Sequence, residues 1–252
     1  MSDIWQACKG AEHVHPLKVN VIRVVESQEQ VATTKLVDTS EEQHQLENIL
    51  ESTKPPRPQG AEQYDYLIWT PFRYPPLPYG SRFGNRALHG IFYGSLDDGT
   101  AMAECAYYRF VFLSGMAVPL PVDRLTTEHS SFEVKFDTAH GIALETAPFD
   151  VYAAQISDPT RYETSQSLGA AMRNADVEAF TYLSARFKDG INAGAFVLNA
   201  IKSRRPERLQ QWVCTTTMNN VAFIRLHGRE EQPFNYPLKQ FLVNGELPVP
   251  AC

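Results

Sequence analysis

Cysteine is scarce and scattered. Cys8, Cys105, Cys214 and Cys252 form no CxxC pair and have no histidine at metal-ligand spacing, so neither a zinc cluster nor a disulfide scaffold is expected. Positive charge is also in deficit: 23 Lys and Arg against 29 Asp and Glu give a net charge of -6, with no basic footprint for a nucleic-acid backbone. No apolar run reaches the ~18 residues that a membrane span needs. The opening MSDIWQACKG has neither the basic nor the apolar region of a secretory signal. The expectation is a soluble, cytoplasmic protein without nucleic-acid or membrane partners. GxGxxG, GxxxxGK[ST] and GxSxG are all missing, which removes Rossmann and P-loop nucleotide sites and the nucleophile-elbow hydrolases. Fixed-period repeats and low-complexity tracts are absent too, against solenoids and disordered tails.

What is present suits a mixed or strand-rich fold. The 252 residues, 43% hydrophobic, can bury a core in one large domain or two small ones. Phe (14) and Tyr (11) are plentiful, and 17 prolines against 14 glycines suggest short elements joined by stiff turns. In the first sixty residues KVNVIRVVES alternates as a strand. Ser40 and Gln43 make a capping box before a helix whose Leu46, Ile49 and Leu50 share one face. KPPRPQG, Lys54 to Gly60, blocks helix and most ladder bonds, so the reading places an N-terminal extension at 1–60 and the main domain at 61–252. The stretch YDYLIWTPFRYPPLPYGSRFGN reads as a shaped loop rather than a helix. HGIFYGS is a strand, and Asp97 or Asp98 caps the helix TAMAECAYYRFVF. SFEVKFDT, DVYAAQIS, EAFTYLSAR, QQWVCTTT and NVAFIRLHG read as strands, and TSQSLGAAMRNA as a helix.

Several residues could carry chemistry. Arginines amid aromatics in a stiff loop can fork onto phosphate oxygens while rings stack a flat heterocycle, and Arg73, Tyr74, Tyr79 and Arg82 offer that combination. Surface ion pairs in a proline-stiffened turn fit the same residues. Glu104 lies among small and apolar helix neighbours, where it faces either solvent or a pocket. Tyr93, Ser95 and Ser184 fit ordinary strand-end and turn positions as well as a site. His89 and His227 are isolated and take no role, and the Asp97–Asp98 pair lacks the spaced ligands of a calcium loop.

The ordered set Arg73-Tyr74, Arg82-Phe83, IFYGS, TAMAE and YLSAR resembles the RES domain, a family named for its arginine, glutamate and serine, over about Tyr64 to His227. SRFGN stands where a Gly-Arg-Trp-Asn run is usual, the arginine loop is unusually proline-rich, and the first sixty residues are extra or divergent. The resemblance implies an α+β fold with a split, strand-rich core like that of ADP-ribosyltransferase toxins, flanking helices and an N-terminal extension. It implies a toxin that depletes NAD by glycohydrolysis or phosphorolysis, an Xre-like antitoxin as partner, and a homodimer or larger toxin–antitoxin complex. NAD is then substrate, with no permanently bound cofactor and no metal. Transfer of ADP-ribose to a protein and an inert nucleotide- or protein-binding module are the alternatives.

Within that resemblance the chemistry assigns roles. Nicotinamide leaves as a neutral base while positive charge builds on the ribose, so a carboxylate beside the ribose stabilises the transition state; Glu104 takes this role. Arg73 and Arg82 are expected to anchor the pyrophosphate. Tyr93, with Tyr74, is expected to enclose the nicotinamide ring, with Ser95 and Ser184 bonding nearby. Glu104, Arg73 and Tyr93 are the expected catalytic set.

Overall fold

The computed structural model describes residues 3–27, 37–76, 79–117, 123–226 and 233–249. Its strands are β1 (His15–Glu26), β2 (Phe92–Ser95), β3 (Leu125–Ala143), β4 (Ala179–Leu183), β5 (Ile191–Ala195), β6 (Glu207–Thr216), β7 (Asn220–Arg225) and β8 (Phe234–Pro237). Its helices are α1 (Asp3–Ala7), α2 (Ser40–Thr53), α3 (Tyr66–Arg73), α4 (Asp98–Ser114), α5 (Ala153–Ile156) and α6 (Glu163–Asn174). The class is α+β, as expected.

β3 organises the sheet. One edge pairs antiparallel with β1, from His15–Gly141 to Glu26–His129. The other edge forks: Leu125–Glu133 pairs antiparallel with β6, while Gly141–Ala143 runs parallel to β4. β5 joins β4 to β2, and a bridge from Ile22 to Ser95 returns β2 to β1. The sheet order β1-β2-β5-β4-β3-β6-β7-β8, with the added β1–β3 pairing, therefore closes five strands into a ring from which β6, β7 and β8 extend. This is the split sheet.

The ring depends on small residues where backbones meet rings or each other. A Cβ on Gly94 of β2 would come within 2.5 Å of Val21 and 2.6 Å of the Ile22 carbonyl, so glycine lets β1 and β2 close. A Cβ on Gly194 of β5 would lie 2.3 Å from the Phe180 ring. β5, INAGA, carries a single branched residue, Ile191, and no aromatic, so it gives little strand signal in sequence; its central place between β2 and β4 requires the small ones.

Three further expectations are corrected. First, the strand of the N-terminal sixty residues is part of the main sheet, with Leu17 and Val21 packed in one core with Phe92, Phe132, Val134 and Phe136. The border near Gly60 therefore separates no independent core. Second, the aromatic-proline stretch contains α3. Asp65 caps it by accepting from the Leu67 amide at 3.0 Å, and buried Ile68 and Phe72, four apart, hold one face down, so packing overrides the cost of Pro71 inside the helix. Third, DVYAAQIS is not a strand but a short 3₁₀ turn and α5: Phe149 and Ile156 are buried while Val151 is exposed, a seven-residue, helical spacing.

The helix expected after Ser40 forms as α2, with its cap one residue earlier. Thr39 accepts from the Glu42 amide at 3.1 Å, and the Glu42 carboxylate accepts from the Asp38 amide at 3.0 Å. Its expected apolar face is not buried, since Ile49 and Leu50 are exposed. The expected helix and strands at α4, α6, β2, β4, β6 and β7 are all observed. His227 and Cys252 lie outside the described residues. No helix among the described residues is long and apolar enough to cross a membrane.

Candidate active site

α4 carries the central residue of the site. Asp97 caps it, one carboxylate oxygen accepting from the Thr100 amide at 2.8 Å and the other from the Thr100 hydroxyl at 2.6 Å. Ala103, Ala106, Tyr107 and Phe110 pack against Trp212, Val221 and Phe223 of the β6–β7 extension. Ala101, Glu104, Cys105 and Tyr108, spaced i, i+3, i+4 and i+7, form a second stripe that lines a hollow of about 370 Å³, within the size range of small-molecule sites. β1 contributes Ile22, Arg23 and Val24 to its walls, β2 contributes Tyr93 and Ser95, and Ser81, Arg82, Tyr162, Tyr182 and Asn192 complete them.

Glu104 is fixed by an aimed network. Its Oε1 accepts from the Ser184 hydroxyl at 2.7 Å and from Asn192 Nδ2 at 2.6 Å. Ser184 Oγ is itself oriented by the amides of Arg186 and Phe187, at 3.0 and 3.1 Å. The Ser95 hydroxyl donates to Asn192 Oδ1 at 2.7 Å, which fixes the flip of that amide so that its NH₂ points at the glutamate. Two donors thus saturate one carboxylate oxygen. The other accepts no hydrogen bond from the described residues, and the group can present its charge to a ligand in the hollow.

Arg82 and Tyr93 stand across the same space. The Arg82 guanidinium donates to the Asp158 carbonyl at 2.8 Å and lies 4.6 Å over the Tyr162 ring. Burial opposes its charge, but Tyr162, Tyr182 and Glu104 outweigh burial and raise its pKa. Tyr93 ties the loop to the strand: its hydroxyl accepts from the Phe83 amide and bonds Ser81 Oγ, both at 3.0 Å. Burial pushes that hydroxyl up to about 12, so it stays a neutral phenol. Burial, with Cys214 adding to it, likewise pushes the Cys105 thiol up to about 12, so it stays a neutral thiol.

Of the expected residues, the structure brings together Glu104, Arg82, Tyr93, Ser95 and Ser184. It does not bring Arg73 or Tyr74. Arg73 ends α3 with its side chain buried and engaged elsewhere: Nε donates to the Pro55 carbonyl at 2.6 Å and Nη1 bonds Glu51 Oε1 at 2.9 Å. Tyr74 is exposed beside it. The correction has a simple cause, since a guanidinium already paired with a carboxylate and a carbonyl is not available to a phosphate. Arg73 instead docks α2 and the proline connector onto α3, and neither it nor Tyr74 belongs to the site. His89 is exposed and away from the hollow.

This anchor has a pH signature. Hydrogen bonding from Arg57, joined by Arg73 and Lys54 and opposed by partial burial, lowers the Glu51 pKa from 4.5 to about 2. The folded-state pKa is the depressed one, so the stabilisation is present above about 4.5 and is lost as pH falls through about 2. Thermal melts of the wild type and Glu51→Gln should differ at neutral pH and converge in acid. A gap that persists at the acid end contradicts the assignment.

Asn192, Arg23, Tyr162 and Tyr182 escaped the sequence reading. Asn192 is the polar residue of a small-residue strand that was itself overlooked, and its partners are distant in sequence. Arg23 did leave a signal: a single charge inside the β-branched run VIRVV.

Fold and site together define an α+β protein with a rigid carboxylate and guanidinium groups facing one small-molecule hollow. The model of the RES domain matches residues 54–217, well over half of the chain, and the chain belongs to the RES domain family. Among solved structures the chain is similar to one in the crystal structure of the M. tuberculosis MbcT-MbcA toxin–antitoxin complex, at 10% identity and a TM-score of 0.45, covering 85% of this chain and 92% of that one. No curated protein matches.

Proposed function

We propose that this RES domain protein is a toxin that cleaves the nicotinamide–ribose bond of NAD and is restrained by an Xre-like antitoxin protein. The observation that carries the reading is the Glu104 carboxylate, with one oxygen saturated by Ser184 and Asn192 and the other left to the hollow that it shares with Arg82. Cleavage of the bond between the ribose C1′ and the nicotinamide nitrogen sends the electron pair out with a neutral base, so no acid is required at the leaving group. Positive charge develops on the ribose, and a preorganised carboxylate stabilises it without having to reorient. Ser184 and Asn192 hold that carboxylate in place and are positioning residues. The Arg82 guanidinium lines the same hollow and favours a ligand that carries negative charge. An acceptor oxygen then bonds to C1′ and releases its proton to solvent. Family membership supports the toxin reading.

The test is product analysis of the purified protein with NAD, with and without inorganic phosphate. Free nicotinamide with ADP-ribose indicates water as acceptor, and a phosphorylated ADP-ribose that appears only with phosphate indicates phosphorolysis. Label from NAD retained on a protein band indicates ADP-ribosyl transfer. Absence of nicotinamide release under all three conditions overturns the reading.

A further inference from the structure

Arg23 lines the hollow and carries a buried donor that no described residue satisfies. It sits on β1 between the core residue Val21 and the acidic end of the strand, opposite Phe132 of β3, with its guanidinium 5.0 Å over the Phe92 ring. Nη1 donates to the Tyr93 carbonyl at 2.6 Å. Nε is buried and has no hydrogen-bond partner, and the guanidinium pairs with no carboxylate among the described residues. Glu26, on the same strand, is paired with Arg109. Arg23 nevertheless lines the same hollow as Glu104 and Arg82.

A cation with an unsatisfied N–H is costly inside a protein unless something pairs with it. We infer that Arg23 is the anion-binding residue of this hollow and grips a phosphate group of the ligand. The inference deepens the NAD reading and rests on it for the identity of the ligand, with the pyrophosphate as the matching group. Its basis is otherwise independent, because Arg23 lies outside the residues matched by the RES domain model. It also fills the vacancy left by Arg73. Sequence reasoning expected two arginines on the pyrophosphate, and the fold supplies the second from β1 instead of from α3.

Geometry favours an anion over a neutral group. The Tyr93 carbonyl takes one corner of the guanidinium fork and Phe92 covers one face, so a ligand in the hollow meets the remaining edge of a guanidinium whose buried Nε no described residue satisfies. Burial lowers the Arg23 pKa to about 10, which still leaves it charged at neutral pH. Glu104 and Arg23 thus divide the hollow by sign: the carboxylate serves a site of developing positive charge, and the guanidinium serves phosphate oxygens.

The experiment is calorimetric titration of ADP-ribose into the wild type, Arg23→Gln, Arg23→Lys and Arg73→Gln, with NAD turnover measured on the same preparations. Loss of a charge-assisted hydrogen bond predicts about ten- to hundredfold weaker ADP-ribose binding by Arg23→Gln. The KM for NAD should rise more than kcat falls. Arg23→Lys keeps the charge without the fork and should bind between the two. Arg73→Gln should bind as the wild type does. Equal affinity in wild type and Arg23→Gln overturns the inference, as does failure of the wild type to bind ADP-ribose. If the glutamine variant does not fold, unchanged affinity in Arg23→Lys overturns it instead. The two readings fail separately. Arg23-dependent ADP-ribose binding without NAD consumption sinks the cleavage chemistry alone, and NAD consumption with Arg23-independent affinity sinks the anion site alone.

Discussion

Replacing Glu104 with glutamine is expected to lower NAD turnover by on the order of 10²–10³-fold while leaving the fold and ADP-ribose binding intact. Glutamine has the length and shape of glutamate. Its amide oxygen can accept the same two bonds that Ser184 and Asn192 give to Oε1, so the network survives the substitution. Only the negative charge is lost, and that charge matters most when the ribose becomes cationic. A variant that melts like the wild type, binds ADP-ribose equally and releases nicotinamide at the wild-type rate would remove Glu104 from the mechanism. Weakened binding with unchanged kcat would show that the carboxylate holds the ground state rather than the transition state.

The largest stability effect is expected at Phe83. Its ring is fully buried, with centroids 4.6 Å from Phe180 and 4.8 Å from Tyr182 in edge-on geometry. Phe83→Ala should cost about 3–5 kcal/mol through lost burial and the cavity left behind, a large share of the ~5–15 kcal/mol that holds a typical domain together. Urea denaturation should show the midpoint falling with little change in slope, and Phe83→Leu should lose less. A shift for Phe83→Ala as small as a surface substitution gives would contradict the packing. The site should feel the change as well, because Tyr182 lines the hollow and the Phe83 amide holds the Tyr93 hydroxyl.

Much of the site was legible because α4 is locally determined. Asp97 is a capping residue directly before a run of good helix formers, and the spacing of Ala101, Glu104, Cys105 and Tyr108 places them on one stripe. Ser184 was legible as part of a motif, yet its bond to Glu104 spans eighty residues that no local pattern connects. Where long-range packing decided the outcome, sequence misled. Arg73 and Arg82 both stand in the aromatic-proline stretch, and which of them meets Glu51 is settled by where α2 comes to rest. Pro71 disguised α3, small residues disguised β5, and the capacity of Ala-Ala-Gln for either state disguised α5. The fold class survived these errors because alternation in β1, β3, β6 and β7 is strong enough to read without tertiary context.

The closure of the strand ring sets a timetable for synthesis. The antiparallel partner of β1, β3, follows it by more than a hundred residues, and Asn192, which orients Glu104, comes later still. A ribosome-bound chain that stops short of β5 carries the Glu104 helix without Asn192 to orient the carboxylate. A harmful activity built this way would be withheld until β5 has been made and has joined the ring, and products truncated before it would lack the network by geometry rather than by inhibition.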